Sequence, residues 1–302
     1  MTQNLIAAKL GVHKSSISRE IVRNADGRSR EYKANLAHRK SILRKKDKPK
    51  VLRFTQSMKD LAKTMIETLQ YSPEQIAGKC KQDITPMVSQ ERLYQWIWED
   101  KKAGGGLYLH LRRKGRKYRK RGNSKDTRGI ISGRVDISQR PSIVDDKVRV
   151  GDLEIDTIIG ENHKGTLLTI NDRVTGIVWI RKLLGKDSQA LTGTAIEALL
   201  PFKGLIKTIT ADNGKEFAKH ESIGEALDIQ FFFAKPYHSW ERGANENTNG
   251  LIRQYFPKGS SFEMVTNEDV QKVQDKLNDR PRKRLGFLSP NEKYSAMQTA
   301  HG

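Results

Sequence analysis

Two periodicities divide this chain. From about residue 151 onward, short apolar stretches rich in Ile, Leu, Val and Thr alternate with helical patterns. Residues 152–159, 166–172 and 176–183 read as strands, 187–200 as a helix, 206–211 as a strand, 215–227 as a helix and 229–234 as a strand, with further helices over 242–255 and 266–279. The order β-β-β-α-β-α-β-α predicts a central mixed sheet flanked by helices, an α/β domain. Upstream of residue 151 the pattern is helical throughout, so an all-α region precedes it.

Residues 3–22 have helix-turn-helix spacing. Ala7 is the small residue where two helices touch, Gly11 permits the turn, and Ile17 faces the core, with Leu10 and Ile21 completing the apolar face. The second helix then turns Ser15, Ser16, Arg19 and Arg23 outward, which suits base edges and phosphates in a major groove. Many short amphipathic helix pairs share this spacing. Because only Met1 and Thr2 precede the pair, its apolar side is expected to find cover against residues 32–45 or a partner chain. A second helical unit is read over 57–100, from Glu74–Lys79 and Gln90–Ile97, with Pro73 in the first turn of one helix and Ser89 capping the other. It is either a second DNA-binding helix pair or a purely structural bundle, since residues 51–100 hold 6 basic against 7 acidic side chains.

Charge changes this picture. The net charge is +21, and all of the excess lies upstream: residues 1–150 carry 36 Lys/Arg against 15 Asp/Glu, and 151–302 carry 20 against 20. A basic half joined to a balanced half reads as a polyanion grip attached to a domain that acts on what is gripped. The run Arg112, Arg113, Lys114, Arg116, Lys117, Arg119, Lys120 and Arg121 follows Ala103-Gly104-Gly105-Gly106, which is expected to be a flexible joint. Such runs are often merely solvated; beside a helix-turn-helix, this one is expected to track a DNA backbone. The domains are therefore read as 1–50 (helix-turn-helix with basic tail), 51–102 (second helical unit), 103–150 (joint and basic arm) and 151–302 (catalytic). Cys80 is the only cysteine, which excludes a disulfide framework, and no stretch has the length of a membrane span or signal peptide. A cytoplasmic, nucleoid-associated protein is expected.

The candidate chemistry is carboxylate chemistry. Asp156 lies in the first strand, Asp212 ends the strand 206–211 just before Asn213-Gly214, and Glu246 lies in a polar helix. Three such acids brought together would hold two divalent cations about 4 Å apart, the arrangement that cuts phosphodiesters. Alternation places Asp152, Glu154 and Asp156 on one face, so spacing alone does not choose among them, and Asp172 is a further candidate. Around Glu246, helical phase groups Arg242, Asn245, Asn249 and Arg253 into one polar stripe and assigns them supporting roles, whereas Ala244, Thr248, Leu251, Ile252 and Tyr255 form the less polar face. A solvated helix face would give a similar stripe.

The phrases Ser16–Ile21, Ser72–Gly78, Asp212–Phe217, Ser239–Lys258 and Leu277–Lys283 resemble the insertion-sequence-thirty family of bacterial transposases. The long phrase around Glu246 is the most specific of them. The resemblance implies a ribonuclease-H-like catalytic domain in which Asp156, Asp212 and Glu246 match the family's three metal-binding acids. It implies two Mg²⁺ ions, replaceable by Mn²⁺, and binding to double-stranded DNA at terminal inverted repeats and at a target. Cleavage, strand transfer and a homodimer or higher oligomer on DNA follow from the same resemblance. The chain departs from the family pattern in having Leu153-Glu154-Ile155 where Trp-Glu-Gly usually precedes the first acid, and Lys235 where an acid usually precedes Pro. The competing expectations are an inactive, transposase-derived repressor and a metal-dependent nuclease without strand transfer.

Overall fold

The computed structural model describes residues 1–47, 54–114, 131–183, 185, 187–235 and 243–299. The chain forms two compact units, Met1–Arg53 and Phe54–Gly302.

The first unit holds three helices: α1 (Gln3–Leu10), α2 (Lys14–Asn24) and α3 (Ala34–Asp47). Gly11 ends α1 at φ +64°, a left-handed conformation that costs glycine nothing, and the Val12 N–H then donates to the Ala7 carbonyl at 3.1 Å. α3 is tied to the end of α2 by polar contacts: Arg44 donates to Asn24 Oδ1 and Lys40 to the Ala25 carbonyl, both at 2.6 Å.

The second unit begins with α4 (Gln56–Glu67), α5 (Pro73–Gln82) and α6 (Gln90–Lys102). The pattern predicts two helices here, and the structure adds α4, whose amphipathic face carries Ala62 and Ile66. Each helix starts where its sequence can cap it. Thr55 and Ser89 accept backbone N–H groups, and Ser72 with Gln75 forms a reciprocal capping box ahead of Pro73. Ala62, Ile66, Ile76, Cys80, Leu93 and Ile97 close the core between them. The glycine run after α6 is a closed turn in which Asp100 accepts the Gly105 N–H through its carbonyl and the Leu107 N–H through its carboxylate.

After a single turn α7 (Ile143–Asp146) comes the sheet: β1 (Asp152–Ile159), β2 (Thr166–Asp172), β3 (Val178–Leu183), β4 (Thr208–Ala211) and β5 (Gln230–Phe233). Its order is β3-β2-β1-β4-β5, antiparallel across β1–β2–β3 and parallel across β1–β4–β5. This is a mixed sheet flanked by helices, as the sequence pattern predicts. Helices α8 (Ser188–Leu199) and α9 (His220–Leu227) cover one face, packing Leu191, Leu199, Ile223 and Leu227 on Leu153, Ile155, Ile209 and Phe231. The other face is covered by α10 (Gly243–Ile252) and α11 (Asn267–Asn278), where Ile252, Val270 and Leu277 meet Ile158, Leu167 and Ile180. The helix expected over 215–227 is divided into a short 3₁₀ turn, Lys215–Phe217, and α9. Gln274 and Asn278 on α11 accept the Ile180 and Val178 backbone N–H groups at 2.9 Å, satisfying the outer edge of β3 that would otherwise be open.

The last helix is α12 (Pro290–Thr299). The segment before it joins the α4–α6 bundle to the sheet domain: Gln75 donates to the Pro281 carbonyl at 2.8 Å, Tyr71 to the Asp279 carbonyl at 3.1 Å, and Lys79 pairs with Glu292 at 2.8 Å. Among the described residues no helix is long and apolar enough to cross a membrane.

Candidate active site

The four acids that spacing leaves open have different surroundings. Asp152 is buried and accepts from Arg149 at 2.7 Å and from the Thr208 hydroxyl at 2.8 Å. Asp172 is buried in the β2–β3 turn, where it accepts from the N–H groups of Gly151, Val174 and Thr175 and from the Thr175 hydroxyl. Glu154 is 1% exposed; it accepts the Asn245 N–H at 3.0 Å and faces Arg173 at 3.6 Å. All three hold structure together. Asp156 is half-buried at the site's rim, with one carboxylate oxygen accepting its neighbour Thr157's N–H and the other accepting Asn249 Nδ2 at 2.9 Å.

Strand pairing brings the second acid alongside. β1 and β4 run parallel with Asp152 opposite Thr208 and Glu154 opposite Thr210. Asp156 lies two residues beyond Glu154 on β1, and Asp212 two residues beyond Thr210, just past the end of β4. Asp212 Oδ1 accepts the Gly214 N–H at 2.9 Å, which turns the chain sharply away. Glu246 is exposed on the first turn of α10, one turn before the Asn249 that bonds Asp156. Among the described residues no group of three or more His, Cys, Asp or Glu side chains stands close enough to hold a metal ion. The donor set is nonetheless all oxygen, which suits a hard divalent cation, and its three members lie on β1, at the end of β4 and on the helix that contacts β1.

The supporting stripe on α10 is divided by the fold. Asn249 faces Asp156, but Asn245 turns into the sheet, where its Nδ2 donates to the Ile155 carbonyl at 3.3 Å. Arg253 fastens the end of α10 to the end of β1 through the Ile159 carbonyl at 2.9 Å, and burial lowers the pKa of its guanidinium. Arg242, Arg116, Lys117, Arg119, Lys120 and Arg121 lie outside the described residues. Arg112, Arg113 and Lys114 are exposed beyond the α6 turn, and Ser15, Ser16, Arg19 and Arg23 are exposed on α2, in the other unit.

Two site neighbours escaped the sequence reading. The Thr169 hydroxyl, directly across from Asp156 on β2, lies 3.2 Å from Asn249 Oδ1 and so orients that amide toward the carboxylate. The symmetric β1–β2 hairpin centred on residues 162 and 163 carried that pairing as a signal. Glu216 accepts from the Thr157 hydroxyl at 3.0 Å and ties the turn after Asp212 back to β1, a contact that no local pattern announces.

The chain is 57% identical over 296 residues to the transposase for insertion sequence element IS4351 of Bacteroides fragilis, covering 97% of this chain and 90% of that one. It is 34% identical to transposase InsI for insertion sequence element IS30A of Escherichia coli (strain K12), covering 97% and 78%. The chain belongs to the IS30 family of transposases. A further relative of this transposase, 28% identical over 96% of this chain and 88% of its own length, is the putative integrase ORF3 of Spiroplasma virus SpV1-R8A2 B. No family model matches the chain. Among solved structures, the catalytic core domain of BIV integrase matches 50% of this chain and 99% of its own at 16% identity and TM-score 0.39, a level that adds nothing to the family assignment.

Proposed function

We propose that this transposase cuts the ends of its element and joins them to a target through Asp156, Asp212 and Glu246. The observation that supports it most is the β1–β4 register together with the Asn249–Asp156 bond, which links the elements bearing all three acids. These carboxylates would hold two Mg²⁺ ions, or Mn²⁺ in their place, and the bound cations would activate the attacking oxygen and stabilise the leaving one. Asn249, oriented by Thr169, holds one oxygen of Asp156 and leaves the carboxylate a fixed direction.

In the first step water oxygen bonds to phosphorus, the bond from phosphorus to the 3′ oxygen breaks, and a 3′-hydroxyl is freed. In the second, that hydroxyl bonds to a target phosphorus as another phosphorus–oxygen bond breaks, so the number of phosphodiesters is conserved. Ser15, Ser16, Arg19 and Arg23 on α2 would read the terminal inverted repeats of double-stranded DNA, and the basic run from Arg112 to Arg121 would track the backbone. Two or more copies would meet on the DNA, in the bacterial cytoplasm. Incubating the protein with labelled repeat ends and Mg²⁺ tests this reading: cleaved and joined products are expected, and ends that are bound yet never cut would overturn it.

A further inference from the structure

A cleft of about 600 Å³ lies where α5, α6 and α10 meet the segment that leads into α12. Its lining is strongly cationic: Arg112, Arg113, Arg280, Arg282, Lys283 and Arg284 are opposed by one carboxylate, Glu74, which already pairs with Lys283 at 2.7 Å. Arg280 is 2% exposed, yet its hydrogen bonds go to neutral groups, Gln254 Oε1 at 3.1 Å and the Tyr255 hydroxyl at 2.6 Å, and its Nε is buried without a partner. Enclosure, with Arg280 and Arg284 beside it, pushes the Arg282 guanidinium down to about 9. Burying this much positive charge against neutral partners is costly, and an anion in the cleft would offset the cost.

The remaining walls narrow the choice of anion. Tyr94 and the partly exposed Trp98 present aromatic surface, and Gln70 offers a buried side-chain oxygen with no hydrogen-bond donor. Stacking rings and an open acceptor beside arginines are the elements that hold an unpaired base and its phosphate. The volume matches a small-molecule pocket and is far too small for a duplex. Position matters too. Asn247 and Leu251 of α10 line the same cleft, and Arg112 reaches α10 across Gly250, where any side chain would meet its guanidinium.

We infer that this cleft takes an unpaired nucleotide at a DNA end, its phosphate among Arg112, Arg280 and Arg282 and its base against Trp98 and Tyr94. The inference rests on the reading that the protein handles DNA ends, but not on cleavage. Asn247 and Leu251 share α10 with Glu246, so an end gripped there is held on the helix that carries one of the proposed acids.

The test is fluorescence anisotropy in EDTA, with labelled repeat-end duplexes that are blunt or carry a short unpaired tail. The unaltered protein is expected to prefer the tailed duplex by about tenfold, equivalent to roughly 1.4 kcal/mol. Trp98→Leu and Arg280→Gln, each checked for folding by circular dichroism, should abolish the preference while leaving affinity for the blunt duplex. Equal affinity of the unaltered protein for both duplexes overturns the inference, as does a preference that survives Trp98→Leu. Parallel loss on blunt and tailed duplexes would also overturn it and assign the cleft to duplex backbone. Because no divalent ion is present, failure of cleavage leaves this outcome readable.

Discussion

The two compact units solve the problem of burial in opposite ways. In Met1–Arg53 the buried apolar side chains among the described residues are Ala7 and Ala37, while Leu5, Leu10, Val22, Ile42 and Leu43 are all more than half exposed. The helices approach closely through small residues and are held by polar links such as Arg44 to Asn24. In the second unit, three apolar clusters bury Ile66, Ile97, Leu153, Phe217, Phe262 and their neighbours almost completely. A unit of about fifty residues with so little apolar area removed from water is marginally stable, whereas the larger unit can afford buried charges such as Glu154 and Arg280. On the proposed reading, recognition would sit on a lightly built unit, and chemistry on a scaffold with a well-buried core.

The largest expected effect sharpens the division of labour. Asp156→Asn, Asp212→Asn and Glu246→Gln should each lower cleavage by about a hundredfold or more, because on the proposed reading each removes the negative charge of a metal ligand. Repeat binding should stay within about twofold, since the binding unit is untouched. Cleavage and affinity measured on the same labelled ends check both halves. An amide variant that still cuts normally removes its residue from the site.

Next comes the contrast in packing. Ile97→Ala, at a fully buried position in α6, should cost about 2–5 kcal/mol, whereas Leu10→Ala, two-thirds exposed on α1, should cost about 0.5 kcal/mol or less. Urea titration followed by circular dichroism measures both. A large loss from Leu10→Ala would mean that the first unit has a hidden apolar interface, and the comparison would break.

A smaller effect tests how the catalytic side is oriented. Asn249→Ala should lower metal-dependent cleavage by about 10–100-fold and shift the Mg²⁺ dependence to higher concentration, without a matching loss of stability. Asn249→Asp, which keeps the shape but sets a carboxylate against Asp156, should not rescue it. A uniform fall in activity at every Mg²⁺ concentration, tracking a lower melting temperature, would reduce Asn249 to a packing residue.

The smallest effect probes the junction between the bundle and the sheet. Ser72→Ala removes the cap of α5 and should cost about 1 kcal/mol, lowering the urea midpoint with little change in cleavage. If cleavage instead falls more steeply than stability, α5 helps to shape the site through Gln75 and the Pro281 carbonyl.

Much of this protein was legible before any tertiary contact. The pattern of strand-forming runs bounded by turn residues located β1 and β2 to the residue, and Pro73 and Ser89 marked where α5 and α6 begin because first-turn and cap preferences are local chemistry. The charge imbalance and the acidic phrases pointed to nucleic-acid chemistry by composition alone. What alternation left open was which of Asp152, Glu154 and Asp156 faces the site, since a strand's period places all three on one face and says nothing of their partners. Thr208, Arg173 and Asn245, brought in from other parts of the chain, occupy the first two. Helical phase likewise set Asn245 on the polar stripe with Asn249, whereas in the fold it turns into the sheet, where the buried Glu154 and the Ile155 carbonyl take its donors. The arginine cleft had no sequence signature, because its charges come from residues 112–113 and 280–284. Only folding brings these together, and only burial shows that Arg280 lacks an anionic partner among its hydrogen bonds. Local pattern determines elements and their faces; long-range packing decides which polar groups are left to act, because that depends on who meets whom.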